Sequence, residues 1–359
     1  MRSSERHPQG LRRDRAAGMT IPLLFDPHRA DRALGGACAA AVAAMIAEGG
    51  GEAVSGFERS FAAFVGRRFA VLTASGTAAL KIALTVSGAA GAGAMLPNIT
   101  HPALLRAAHG AGSRPLLADI GDDLNISPAD VERRLRRGCR AVVMAHMCAN
   151  PCDVPRLRRA AARCGAVLIE DASQALGLGI RGKRAGALGD ISLFSLSSWK
   201  PLSAPFSKAG ALLCDDEGLA RELRALREDD PPSPATAAML APRLAALPRL
   251  LSGMAAAQAA YRAALAGCRD VEIKARTPLA QELPLYAARR DALEAHLRGR
   301  GVFLEKTYPA LSVMEGAGLR GYPASGRYLG RAIHLPLFPL LTPREAVAAA
   351  RAVVAFYGA

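Results

Sequence analysis

The residues most able to do chemistry begin with a lysine. Lys200 directly follows "FSLSSW", an apolar, serine-rich run that reads as a strand ending in the interior, in a chain whose cations are mostly arginine. Burial disfavours the ammonium form of such a lysine and leaves a neutral amine able to bond a carbonyl carbon. Lys208 is the weaker candidate, because it follows the proline-containing loop "PLSAPFS", whereas Lys200 is expected to end a strand. Upstream, "LIEDASQALG" closes an apolar run with Glu170 and Asp171. A carboxylate at the buried end of a strand needs a partner, and an ion pair with an arginine is the plain alternative to a catalytic task. In "TASGTAAL", Ser75, Gly76 and Thr77 stand between a strand and a helix. Small residues there let backbone N–H groups approach an anion at the positive end of a helix, although the same residues also make a good cap.

The surrounding pattern shows what must hold these groups. From about residue 60 to 215, short apolar runs such as "RFAVLTAS", "GAMLPN", "RAVVMAHM", "AVLIEDAS" and "DISLFSLS" alternate with amphipathic helical stretches. Strands apolar nearly throughout, separated by helices, predict a mostly parallel sheet covered on both faces, with functional groups at the carboxyl ends of the strands. The Asp/Pro-rich stretch "LREDDPPSPATAAM" reads as a hinge. The expected organisation is a basic tail over 1–18, a large α/β unit over 19–230 and a smaller α+β unit over 231–359.

Composition bounds the partners. Of 359 residues, 51% are hydrophobic and 21% charged, which suits a globular chain. The net charge of +15 is scattered over helices such as "VERRLRRGCR", and no nucleic-acid-binding signature accompanies it. A solvated basic face is therefore expected, and nucleic acid is not. The alanine-rich stretch "LGGACAAAVAAMIAEGGG" (34–51) reads as a helix ended by glycine, too short to span a membrane. With no apolar secretory segment in the first eighteen residues, the expected location is the cytoplasm. Cys148 and Cys152 lie near His146, but no second ligand pair follows, so buried thiols are expected rather than a metal site.

A reactive lysine, an acid and an anion cradle at strand ends are together what pyridoxal phosphate requires. The order "FERSFAAFVG … VLTASGTAAL … LPNITHPA … AHMCANPCDVPRL … LIEDASQALG … GALGDISLFSLSSWK" resembles the DegT/StrS-type sugar aminotransferases, which are fold-type I pyridoxal phosphate enzymes. The resemblance runs from about residue 20 to 228. It implies Lys200 as the Schiff-base lysine, Asp171 on the pyridine nitrogen and Gln174 on the phenolic oxygen. It further implies Ser75, Gly76, Thr77 and Ser195 around the phosphate, and His101 stacked on the ring. An aminotransferase of this kind would move nitrogen from L-glutamate or L-glutamine to a keto sugar or cyclic ketone, as a homodimer.

The sequence departs from the family pattern after the lysine, where "PLSAPFSKAG" replaces a glycine-rich stretch, and in "PPSPATAAMLAPRL", which replaces an Asn-x-Arg segment. The histidine expected after Tyr-Pro is missing from "TYPALSVME". Elimination or carbon–carbon bond chemistry on the same cofactor, and a non-catalytic ligand sensor, are the competing readings.

Overall fold

The computed structural model describes residues 28–135, 138–197, 200–302, 304–305 and 307–358. The tail expected over 1–18 lies outside the described residues. Two helices come first, α1 (Arg29–Ala47) and α2 (Ala53–Val65). Alternation follows: β1 (Phe69–Thr73), α3 (Gly76–Val86), β2 (Gly93–Pro97), α4 (Ala103–Gly110), β3 (Arg114–Ala118), α5 (Pro128–Arg134), β4 (Cys139–Ala145), α6 (Val154–Ala162) and β5 (Val167–Asp171). A small hairpin, β6 (Gly179–Ile180) and β7 (Lys183–Arg184), leads to β8 (Ile191–Ser195), β9 (Gly210–Cys214) and α7 (Glu217–Arg227).

Seven of these strands form one sheet in the order β1-β9-β8-β5-β4-β2-β3. Only β9 runs antiparallel to its neighbours. The predicted mostly parallel sheet is therefore present, and the alternation of side chains across it builds a core on each face. Phe194 packs with α2 and the first half of α8 (Pro234–Leu265), while Leu193 packs with α3, α4 and α7.

The second core surrounds a three-stranded antiparallel sheet, β10 (Val271–Ile273), β11 (Leu283–Ala287) and β12 (Ala332–Leu335). Between β11 and β12 lie α9 (Arg290–Gly299), α10 (Leu311–Met314) and α11 (Pro323–Arg331), and α12 (Pro343–Tyr357) closes the chain. α8 serves both cores, with Leu240 and Leu247 in the first and Met254, Ala257 and Tyr261 in the second.

α1 corrects the sequence reading in one respect, since by length and composition it could cross a membrane, with mean hydropathy 1.4. Here it lies against α8 through Leu34, Cys38 and Leu250, and only 17% of its apolar window is buried. Gly49 and Gly50, both in left-handed backbone at φ 77° and 76°, follow it.

Candidate active site

The carboxyl ends of β1, β2, β4, β5 and β8 converge on one cavity of about 580 Å³. All eight residues singled out from the sequence line it: Ser75, Gly76, Thr77, His101, Asp171, Gln174, Ser195 and Lys200.

The anion cradle is the start of α3. Ser75 caps the helix by accepting the Ala78 N–H at 3.1 Å, which leaves the N–H groups of the first residues with no acceptor inside the helix. Nothing larger than glycine fits beside them. A Cβ on Gly76 would stand 2.8 Å from Ser195 Cβ, and one on Gly210 would stand 2.5 Å from the Ser75 carbonyl oxygen. The close approach of α3, β8 and β9 thus sets a concave row of donors beside the Ser195 hydroxyl.

Alternation along β5 sends its two terminal acids to different tasks. Asp171 faces the cavity, with Oδ1 accepting the Ser173 N–H at 3.0 Å. Glu170 is wholly buried, and its partner is not the arginine considered from sequence. Instead it accepts from the backbone N–H groups of Gly186, Leu188 and Gly189 (2.7–2.9 Å), Ser192 Oγ (2.8 Å) and His146 Nε2 (3.0 Å). Burial alone would raise its pKa, but these donors outweigh it and hold the carboxyl at about 2. His146 Nδ1 accepts the Cys152 N–H at 3.1 Å, so its proton sits on Nε2. Both nitrogens of His146 are occupied structurally.

Lys200 departs from the expectation that it ends a strand. β8 closes at Ser195, and Lys200 stands half-buried in a bend beyond it, its N–H on the Ser197 carbonyl at 3.4 Å. Lys208 reaches the same cavity. His101 is open to the cavity, and its Nδ1 accepts the Ala103 N–H at 3.1 Å. Burial first, then the charges of Lys200 and Arg106, lower its pKa.

Sequence reasoning missed the groups that steady Gln174. Gln174 Oε1 accepts the Cys148 N–H at 2.6 Å, and its Nε2 donates to Tyr308 Oη at 2.5 Å. The Tyr308 hydroxyl donates to Glu282 Oε1. Tyr328 Oη accepts the Tyr308 N–H at 3.1 Å and is hydrogen-bonded to His334 Nε2, also at 3.1 Å. His334 Nδ1–H donates to the Glu282 carboxylate at 2.6 Å, since a carboxylate oxygen only accepts. The network closes on Glu282, where burial acts to raise the pKa and the bonds from His334 and Tyr308 outweigh it and lower it. Cys148, Glu282 and His334 form a three-residue group of metal-ligating type, but Glu282 and His334 already bond to each other. Glu305 also faces the cavity, and burial, then the Glu282 charge, raise its pKa to about 7.

Residues 36–230 match the DegT/DnrJ/EryC1/StrS aminotransferase family. The chain belongs to that family. A curated relative, the dTDP-3-amino-3,4,6-trideoxy-alpha-D-glucose transaminase of Streptomyces venezuelae, is 31% identical over 279 residues, 72% of this chain and 73% of the relative. The L-glutamine:2-deoxy-scyllo-inosose aminotransferase of Streptomyces fradiae is 36% identical over 186 residues, 50% of this chain and 43% of the relative. Several curated relatives are matched over less than half of their own length. The crystal structure of S. venezuelae DesV in complex with a ketimine intermediate superposes with a TM-score of 0.86 at 28% identity, covering 94% of this chain and 98% of that one.

The cofactor of this family's fold is pyridoxal phosphate, and the cavity fits it: a glycine-lined row of N–H donors, a carboxylate at the neighbouring strand end and a lysine on the same wall. The departures from the family pattern lie in the loop after Lys200, at the start of α8 and around Tyr308, and Lys208 and Tyr308 bring two of them to the cavity wall.

Proposed function

We propose that the chain is a pyridoxal phosphate-dependent aminotransferase that moves nitrogen from an L-amino acid, L-glutamine or L-glutamate, to a keto sugar or cyclic ketone. The observation that carries this reading is the convergence of Lys200, Asp171 and the α3 N-terminus on one cavity. The cofactor, when bound, supplies the electron sink that acidifies the donor's Cα–H and carries the nitrogen. Lys200 Nζ would anchor it and, when freed by the donor amine, would serve as the base that moves the Cα proton. Asp171 holds a proton on the pyridine nitrogen. The N–H groups of Gly76 and Thr77 and the Ser195 hydroxyl grip the phosphate, with Ser75 fixing the turn. His101, on the cavity wall, would stack on its ring. Gln174 has one amide hydrogen committed to Tyr308 and the other free for the phenolic oxygen.

We further propose a homodimer that acts in the cytoplasm. Phe206 is 94% exposed in left-handed backbone, at φ 57°, and lies beside the open face of α1, where Ile46 is 69% exposed. A large apolar side chain held in strained backbone over an apolar groove suits a partner surface, and a second copy of the chain is the simplest occupant.

The decisive test is a half-reaction. Adding L-glutamine or L-glutamate to the yellow holoenzyme, without acceptor, should bleach the cofactor band once per site. Sugar-nucleotide ketones and cyclitol ketones should then restore it. A cofactor-loaded protein that no amino acid bleaches would overturn the reading.

A further inference from the structure

A second, smaller cavity of about 60 Å³ adjoins the first and shares Lys200 and Glu305 with it. Its polar wall is completed by Ser203, Arg243, Gln281 and Glu282. Both polar atoms of the Gln281 amide are buried without a hydrogen-bond partner, and so is Arg243 Nε. Arg243 is only 1% exposed, and its other nitrogens are committed, Nη1 to Asp31 Oδ1 at 2.9 Å and Nη2 to Ser203 Oγ at 3.2 Å. Nor is the Gln281 loop slack. The Gln258 amide clamps it by donating to the Thr277 carbonyl at 2.5 Å and accepting the Ala280 N–H at 3.0 Å. Buried polar groups are nearly always paired, so a held amide with both ends open, next to a guanidinium N–H also open, calls for a polar guest.

The open groups define that guest. Gln281 Nε2 and Arg243 Nε offer hydrogens to a carbonyl oxygen, while Gln281 Oε1 and the Glu305 carboxyl can accept from an N–H₂ group. A primary carboxamide satisfies all four. A carboxylate has no hydrogen for Gln281 Oε1 and would add a third acidic group beside Glu282 and Glu305. Burial and the charge of Glu282 raise the Glu305 pKa to about 7 although Lys200 opposes them, and the Arg243 charge is already paired with Asp31, so another negative charge is unwelcome there. The two cavities meet at Lys200, and an amino acid reacting in the first can place the end of its side chain in the second.

We infer that the smaller cavity is a carboxamide subsite that selects L-glutamine over L-glutamate as the amino donor. The inference rests on the aminotransferase reading and narrows it.

The test separates the two. Cofactor-loaded Lys200→Ala, which can bind a donor but not turn it over, is titrated by calorimetry with L-glutamine, L-glutamate and L-alanine. Glutamine should bind at least about tenfold more tightly than glutamate, because a site built to hydrogen-bond a group rejects analogues lacking it. In the otherwise wild-type holoenzyme, Gln281→Leu should reduce kcat/KM for glutamine in the bleaching reaction about tenfold or more, while leaving that for L-alanine within about threefold. Gln281→Glu, of nearly equal shape, should also lose the preference for glutamine, and it serves as the second variant if the leucine disturbs folding. Glutamate binding as well as glutamine, or Gln281→Leu leaving glutamine unaffected, would overturn the subsite and leave the aminotransferase standing. So would a structure with glutamine bound that shows only water in the cavity. Bleaching by none of the amino acids would instead overturn the aminotransferase.

Discussion

Two lysines compete for one carbonyl, and only chemistry at the residue scale separates them. Borohydride trapping should fix the cofactor covalently to wild-type protein and to Lys208→Ala, and not to Lys200→Ala, as read by mass spectrometry of the peptides. Label on Lys208 would transfer the anchoring role to it. Asp171→Asn should retain the cofactor but lose about 10²–10³-fold in kcat, because the amide keeps the shape and loses the charge that holds the ring proton. Tyr308 lines the cavity and bonds Gln174. Tyr308→Phe should therefore shift the absorbance of the bound cofactor and lower kcat by up to about 10²-fold, with little change in cofactor affinity. An unchanged spectrum would reduce Tyr308 to a packing residue. That Ser75, His101, Asp171, Gln174 and Ser195 would meet at one cavity was legible in the sequence, because they stand at or just beyond strand ends where apolar runs stop. The chain from Tyr308 to Glu282 and His334 was not. Glu282 and His334 come near one another only where β11 pairs with β12, and no local pattern announces a pairing across so long a connection.

At the scale of elements, the junction of α3, β8 and β9 is the tightest joint in the site. Gly76→Ala should weaken cofactor affinity about tenfold or more, since its Cβ meets the Ser195 side chain and backbone at 2.8–3.0 Å and some of the cradle must move. Equilibrium titration of the cofactor band measures this, and an affinity equal to wild type would show that the joint can yield. β5 carries a second prediction through Glu170. Its folded pKa of about 2 lies below the ordinary glutamate value, so the stability it contributes is present in full above about pH 5 and is lost as the pH falls toward 2. Glu170→Gln should cost on the order of 3 kcal/mol at pH 7, and the gap from wild type should close in acid, as read by urea denaturation. The alternation that sends Asp171 to the cavity and Glu170 to the opposite side follows from strand geometry and was open to sequence reasoning. The donors that meet Glu170 were not, because three of them are backbone N–H groups of the loop 186–189.

For the whole molecule, the exposed apolar face makes a prediction about assembly. Light scattering should report a dimer, and Phe206→Glu should shift it toward monomer without altering the far-ultraviolet spectrum. A wild-type monomer that turns over would remove the dimer from the proposal. The two-unit organisation is also a proposal, and the packing moves its boundary: α8 contributes residues to the first core as far as Leu251 and to the second from Met254 onward. The Asp/Pro-rich stretch near 230 marks the start of that helix and not the seam between cores. A helix shared in this way has a thermodynamic consequence. Neither half of α8 can bury its apolar stripe unless the corresponding core exists, and melting either core frays the helix on which the other rests. Calorimetry should record one endotherm whose van't Hoff and calorimetric enthalpies agree. Chains cut at residue 230 should yield an N-terminal fragment that lacks the lid over Phe61 and Phe194, and that gains structure only when the missing piece is supplied in trans.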